Sequence, residues 1–305
     1  MNFAQGLQSF YHRCLAINVT NLTLSNYRSN LLDFHKFFTN AGLKDLEQID
    51  NKFVRDYMVS LKARQLSPVT IEDRFRILKT FFTYHEQEGN IAVSPMQGMI
   101  KPKIPKIHAR TFTNEEINAI MKYFRLDDFI GYRNYTIMCL FYGTGIRERE
   151  LLNLTVFDIH MDIDTITVLG KGNKERHIPI TKVLKRILNT YIKRREDYLL
   201  FSRHNSPALI ISHTGKQLTV SGLQVVFSHL KRDLGFPAKR LSPHTWRHTF
   251  AKNFLLNGGN VFALQRLLGH EDIETTKIYI DYTINEMKTQ NDSYNPLDNN
   301  RWQYY

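Results

Sequence analysis

Near the end of the chain, three short runs hold side chains whose types and spacing could do chemistry. They are Ser242-Pro243-His244-Thr245-Trp246-Arg247-His248, Leu267-Leu268-Gly269-His270 and Thr275-Thr276-Lys277-Ile278-Tyr279. They offer imidazoles and a guanidinium that can hold an oxyanion, followed by a phenol that can attack one. That combination suits phosphoryl transfer through a covalent tyrosine intermediate.

Each group also has a plainer reading. The pair His244 and His248 is spaced i, i+4 on one helix face, as in zinc peptidases, but Thr245 stands where those enzymes need a general-base glutamate. His244 and Arg247 at i, i+3 instead set an imidazole beside a permanent cation, which makes sense if both face a phosphate. His270, after Gly269 at a helix end, could equally be structural. Tyr279 is one of 15 tyrosines, with Tyr282 close behind. A phenol of ordinary pKa about 10 is a competent nucleophile at neutral pH only with cations or a base nearby.

Further upstream, Arg147 follows a Gly143-Thr144-Gly145 break at the start of a short helix, where free backbone N–H groups favour anions. Glu150 shares its helix face and can orient the guanidinium for bidentate phosphate binding. Lys171 lies in Gly170-Lys171-Gly172-Asn173-Lys174-Glu175-Arg176, which is not a nucleotide-binding loop: the glycine spacing is wrong, and neither Ser or Thr nor a helix follows. A basic hairpin tip is usually solvated, but it can also enter a DNA groove and supply a mobile ammonium donor.

The elements that must position these groups follow from the pattern of the chain. At 305 residues it has the length of two domains, and 41 Lys and Arg against 29 Asp and Glu give it a net charge of +12. Such a balance fits a polyanionic partner, nucleic acid first, although a ribosome-associated or membrane-surface protein would share it. Cys14 and Cys139 lack zinc-site spacing and read as buried reduced thiols. Neither a signal sequence nor an apolar run of about 18 residues is seen, so a cytoplasmic, non-membrane protein is expected.

Up to about residue 92 the apolar period is that of helices: a weaker one near 4–16, then about 22–40, 50–64 and 67–89. Their polar faces carry Arg28, Lys36, Lys52, Arg55, Lys62, Arg64, Arg74, Arg76 and Lys79, a set that suits a phosphate backbone. Residues 93–110 form a proline-rich basic connector. Thr113 and Glu116 then make a capping box with Phe112 and Ile117 as its staple. Helices are expected over 135–142 and 147–154, a β-hairpin over 165–169 and 176–180, and further helices over 181–199, 221–234, 243–256, 261–268 and 273–280.

In their order and spacing, Gly-Thr-Gly-Ile-Arg147-x-x-Glu150-Leu-Leu, Gly-Lys171-Gly-Asn-Lys-Glu-Arg, His244-x-x-Arg247-His-Thr-Phe-Ala, Leu-Leu-Gly-His270 and Thr-Thr-x-x-Tyr279 resemble the tyrosine recombinase (phage integrase) family, particularly its compact Xer-like members. The resemblance spans about residues 5–285. Trp246 and Arg149 depart from the usual residues at positions without an assigned chemical role.

What the resemblance implies is specific. The fold would be mainly α with a small antiparallel sheet: an N-terminal helical DNA-binding domain over 1–100, a linker over 101–110, a catalytic domain over 111–290 and a polar tail over 291–305, closing as a C-shaped clamp on DNA. Tyr279 would be the nucleophile, Arg147 and Arg247 would grip the non-bridging oxygens, and His244 and His270 would stabilise the transition state and manage the phenol proton. Lys171 would be the general acid and Glu150 an accessory residue, with Arg28, Arg74, Lys174 and Arg176 as candidate DNA contacts.

Neither cofactor nor metal would be required. The partner would be double-stranded DNA, bound by four protomers across two sites through a Holliday junction, with or without a partner recombinase. Chromosomal resolution and mobile-element integration both fit. Two alternatives are a type IB topoisomerase, which shares the chemistry, and a DNA-binding protein without catalysis.

Overall fold

The structure is a computed structural model that describes residues 1–105, 110–170, 174–235, 241–270, 276 and 284–294. The chain divides into two compact units, Met1–Ile107 and His108–Tyr305.

The first unit contains helices α1 (Phe3–Ala16), α2 (Asn21–Asn40), α3 (Asn51–Ala63) and α4 (Pro68–Gln87). Each starts where a polar side chain takes up a first-turn N–H. Asn2 accepts from Gln5 at 2.8 Å, Thr20 from Thr23 at 3.4 Å, Asp50 from Phe53 at 2.7 Å and Ser67 from Thr70 at 3.1 Å. Pro68, with no N–H to leave unsatisfied, takes the first helical position of α4. The apolar faces bury Phe3, Phe10, Leu31, Phe34, Tyr57, Phe81 and Phe82 in one aromatic-rich core.

The basic residues named from the sequence lie outside this core. Arg28, Lys36, Lys52, Arg55, Lys62, Arg64, Arg76 and Lys79 are exposed. Arg74 is half-buried: its guanidinium meets the Asp33 carboxylate and donates to Tyr57 Oη at 2.9 Å. Asp33 also accepts a fork from Arg64 at 2.9 and 3.0 Å. Burial would raise the Asp33 carboxyl, but these bonds outweigh it and hold it at about 2.

The second unit opens with α5 (Asn114–Tyr123), capped as the sequence predicts: Thr113 N donates to Glu116 Oε2 at 2.8 Å and Glu116 N to Thr113 Oγ1 at 3.3 Å. α6 runs over Phe129–Thr144, starting six residues before the expected 135 because Asp128 caps it, accepting from Gly131 N at 2.7 Å. Arg133 obscures the pattern, since it is a cation that lies buried, donating to the Ile211 carbonyl at 3.1 Å and to Asn134 Oδ1. Apolar on nearly every face, α6 is the central helix and packs against α8 (Lys182–Ser202) and α10 (Pro243–Leu256).

Between them lie α7 (Glu148–Asn153) and a three-stranded antiparallel sheet, β1 (Ile159–His160), β2 (Thr165–Leu169) and β3 (Glu175–Pro179). With two residues, β1 is too short to show a period in sequence. In the β2–β3 register Ile166 faces Ile178 and Val168 faces Arg176, so Arg176 shares the inward face with buried Ile178. α9 (Val220–Leu234) and α11 (Val261–Leu268) match their expected ranges closely, and a last described helix covers Ile284–Tyr294. The helix expected over 273–280 lies outside the described residues except at Thr276. The fold is mainly α with a small antiparallel sheet, as the sequence implies.

Both cysteines are free. Cys14 is buried and Cys139 half-buried, and burial pushes both thiols up, Cys139 to about 11. No described helix is long and apolar enough to cross a membrane.

One glycine ties the fold to the site. Gly145 ends α6 at φ +63°, and a Cβ there would stand 2.4 Å from Phe250 Cδ1 and 2.8 Å from Leu268 Cδ2. Gly145→Ala therefore meets both left-handed strain and overpacking, and should destabilise the protein by about 3 kcal/mol. Gly42, at φ +74° with open space around it, provides the control. Gly42→Ala should cost about 1 kcal/mol, the strain without the clash. Denaturant midpoints of the two variants at unchanged slope measure the difference.

Candidate active site

Helix α11 ends at Gly269, whose left-handed backbone, φ +65°, turns the chain into His270. The last carbonyls of a helix have no partner within it and carry its partial negative charge. Three consecutive ones are each held by a different guanidinium. Arg176 Nε donates to the Leu267 carbonyl at 3.0 Å, Arg247 Nη2 to that of Leu268 at 2.7 Å and Arg147 Nη2 to that of Gly269 at 3.3 Å. The arginines come from β3, from the first turn and a half of α10, and from the residue that caps α7.

Each guanidinium has a second anchor. Arg247, only 5 % exposed, donates through Nη1 to the Gly145 carbonyl at 2.8 Å, tying α10 to the end of α6. Arg147 and Arg176 share the buried Glu150. Its Oε1 accepts from Arg147 Nη1 at 2.7 Å and Arg176 Nη1 at 2.9 Å, and its Oε2 from the Arg147 backbone N–H at 2.9 Å and Arg176 Nη2 at 2.7 Å. Glu150 thus supplies the acidic half of a capping box for α7 while bridging two cations. Burial pushes its carboxyl up, but the Arg176 and Arg147 hydrogen bonds prevail and hold it down at about 2.

His270 completes the cluster. Its Nε2 lies 2.8 Å from Arg247 Nη2 and its Nδ1 2.8 Å from Thr276 Oγ1. A guanidinium has no acceptor, so Nε2 must accept and the ring proton must sit on Nδ1, donating to Thr276. Burial first, then the fields of Arg247, Arg147 and Arg176, lower the imidazole to about 4, so it is neutral at pH 7.

The sequence-derived candidates divide accordingly. Arg147, Glu150, Arg247 and His270 meet at one point. His244 stands exposed on the first turn of α10, one turn ahead of Arg247. Lys171 and Tyr279 lie outside the described residues. Lys174 and Arg28 are exposed. Arg176 does not project from the hairpin as a candidate DNA contact would; its side chain is 13 % exposed, against 37 % for Arg147, and turns into the cluster. Its place was readable in one respect, because it alternates in phase with the apolar Ile178 and Ile180.

The phage integrase family profile matches residues 110–286, and that of the phage integrase N-terminal SAM-like domain matches 9–89. The chain belongs to the phage integrase family. Tyrosine recombinase XerC of Staphylococcus epidermidis is 32 % identical over 263 residues, 86 % of this chain and 87 % of that protein. Tyrosine recombinase XerD of Oceanobacillus iheyensis is 27 % identical over 292 residues, 95 % of this chain and 98 % of its own.

Among solved structures, the Tn1549 transposon integrase in complex with a circular intermediate DNA superposes with TM-score 0.77 at 19 % identity, covering 96 % of this chain and 99 % of the integrase. The XerH site-specific recombinase bound to a palindromic difH substrate gives 0.73 at 22 % identity, over 90 % of this chain and 80 % of XerH. These two likenesses show that the integrase fold is shared.

The charge balance of the cluster predicts its pH response. Glu150, held at about 2 against 4.5 for the free side chain, stabilises the fold fully above pH 4.5, and this contribution is lost as pH falls from 4.5 through 2. His270, lowered from 6.5 to about 4, makes the native state lose stability as pH falls from 6.5 to 4, because only the unfolded chain takes up its proton there. Glu150→Gln should be less stable than wild type at pH 7 by about 3 kcal/mol, since it leaves two guanidiniums without their shared anion. The gap should close toward pH 2, which chemical denaturation across that range would follow.

Proposed function

We propose that this protein is a site-specific DNA recombinase that cleaves and rejoins double-stranded DNA through a 3′-phosphotyrosine formed by Tyr279. The observation that carries this reading is the convergence of Arg147, Arg247 and His270, from three segments of the chain, on the turn that ends α11. Two permanent cations fixed by carbonyls and a carboxylate beside a neutral imidazole form a preorganised seat for a phosphodiester.

In the proposed reaction, the Tyr279 oxygen attacks phosphorus while Arg147 and Arg247 neutralise the non-bridging oxygens. His244 and His270 stabilise the pentavalent transition state and manage the phenol proton. The P–O5′ bond breaks and Lys171 delivers a proton to the departing oxygen, leaving a phosphotyrosine and a 5′-hydroxyl. The tyrosyl ester keeps the energy of the diester, so a 5′-hydroxyl from a second duplex can reverse the step and exchange strands without ATP.

Four protomers on two sites would carry out both exchanges through a Holliday junction. The exposed cations of α2, α3 and α4 in the first unit, Arg28 among them, and Lys174 in the second are proposed to meet phosphates.

Purified protein incubated with fragmented host genomic DNA, followed by denaturing capture and sequencing of protein-linked fragments, should recover a discrete site. A nicked suicide duplex of that sequence should trap wild type covalently. Tyr279→Phe should bind it and form no adduct, and Arg247→Ala should cleave it about 100-fold to 1,000-fold more slowly. An adduct with Tyr279→Phe would move the nucleophile to Tyr282. Relaxation of supercoiled plasmids without a preferred site would mark a topoisomerase instead.

A further inference from the structure

We propose that Arg176 is a positioning residue: it locks Glu150, and through it Arg147, to the turn carrying His270, and fastens the β2–β3 hairpin to that site. The proposal rests on the reading of Arg147 and His270 as parts of a phosphate-cleaving centre.

The geometry is specific to a guanidinium. Arg176 offers both terminal nitrogens to the two oxygens of Glu150, at 2.9 and 2.7 Å, and its Nε to the Leu267 carbonyl at 3.0 Å. Three donors of one rigid plane therefore fix two groups that lie 26 and 91 residues away in sequence. Gly269 makes room for this plane, since a Cβ there would stand 3.0 Å from Arg176 Cδ and 3.2 Å from Cζ.

The carboxylate so fixed is the one that holds Arg147. Glu150 takes Arg147 Nη1 at 2.7 Å, and Nη2 of the same guanidinium donates to the Gly269 carbonyl at 3.3 Å on that turn. Without Arg176, the Glu150 side chain keeps only the partners on its own helix start and can follow Arg147 outward. The turn loses one of its three guanidinium anchors at the same time. Arg147 would still be present and charged, but no longer held where a phosphate needs it, and a displacement of about 1 Å can cost about 100-fold in rate.

Arg176 also stands at the inward-facing second position of β3, two residues after Lys174, whose carbonyl accepts from the Gly170 N–H at 2.8 Å. Lys171 lies between Gly170 and Lys174 in sequence. The same side chain therefore joins the strand after the proposed general acid to the residues proposed to hold the phosphate.

Arg176→Lys keeps the charge and stem but cannot form the fork and the Nε bond together. Arg176→Gln keeps a neutral donor and loses the charge. Both are compared with wild type, Glu150→Gln and the corresponding double variants on the suicide duplex recovered by covalent capture, with folding followed by circular dichroism. The readouts are the single-turnover cleavage rate at saturating DNA and the half-saturating DNA concentration.

Each Arg176 variant should cleave about 10-fold to 100-fold more slowly, with half-saturation moved by less than about 3-fold. Because Arg176 acts through Glu150, each double variant should be about as slow as the slower single variant, not slower by the product of the two effects. A raised half-saturation with an unchanged saturated rate and a shallower salt slope would make Arg176 an ordinary phosphate contact and overturn the proposal. An unchanged rate, or multiplicative effects with Glu150→Gln, would overturn it too. Absence of any adduct with wild type would defeat the recombinase reading itself, a result separate from all of these.

Discussion

The candidate site in the second unit is organised around the end of one short helix. The carbonyls of Leu267, Leu268 and Gly269 have no partners within α11, and each receives a different guanidinium. Neutral donors would satisfy them equally in number. Cations do more, because the helix terminus carries partial negative charge. In the proposed reaction Arg147 and Arg247 would also meet an incoming phosphate, for which fixed positive groups are suited.

Three guanidiniums in one place repel one another, and Glu150 makes the arrangement tolerable. Its carboxylate bridges Arg147 and Arg176 and is held ionised by them. His270 answers burial and the same field in the opposite way, by losing its proton, so that its Nε2 accepts from Arg247. The described cluster, with Arg147, Arg176 and Arg247 against Glu150, keeps a surplus of positive charge while every named group has a defined partner.

The first unit solves a simpler problem. Its core is a block of interlocking aromatic rings, with Phe34 set edge-on to Tyr57 at 4.8 Å and Phe10 to Phe81 at 5.4 Å. A rigid bundle of this kind leaves the helix exteriors free to vary, and they are basic. Arg74 is the exception: with Arg64 it is bound to Asp33, so that part of the basic composition holds α2, α3 and α4 together.

Much of this was local and therefore legible in sequence. Ser67-Pro68, Thr113 with Glu116 and Ser242-Pro243 mark helix starts within a few residues, and the structure has α4, α5 and α10 begin there. The pairing of Arg147 with Glu150 was legible for the same reason, since i, i+3 on one turn is a local relation. The start of α6 was hidden by Arg133, a cation that only a distant carbonyl makes tolerable in the core. Arg176 is a candidate DNA contact by sequence, and its inward role is hidden there because its partners, Glu150 and Leu267, are distant in the chain. By itself the sequence determined which side chains could do chemistry, because their types and the family order are written in it. Which cations face outward and which hold the site together was decided only by tertiary structure, because a guanidinium's role depends on the carbonyls and carboxylates that folding brings within about 3 Å of it.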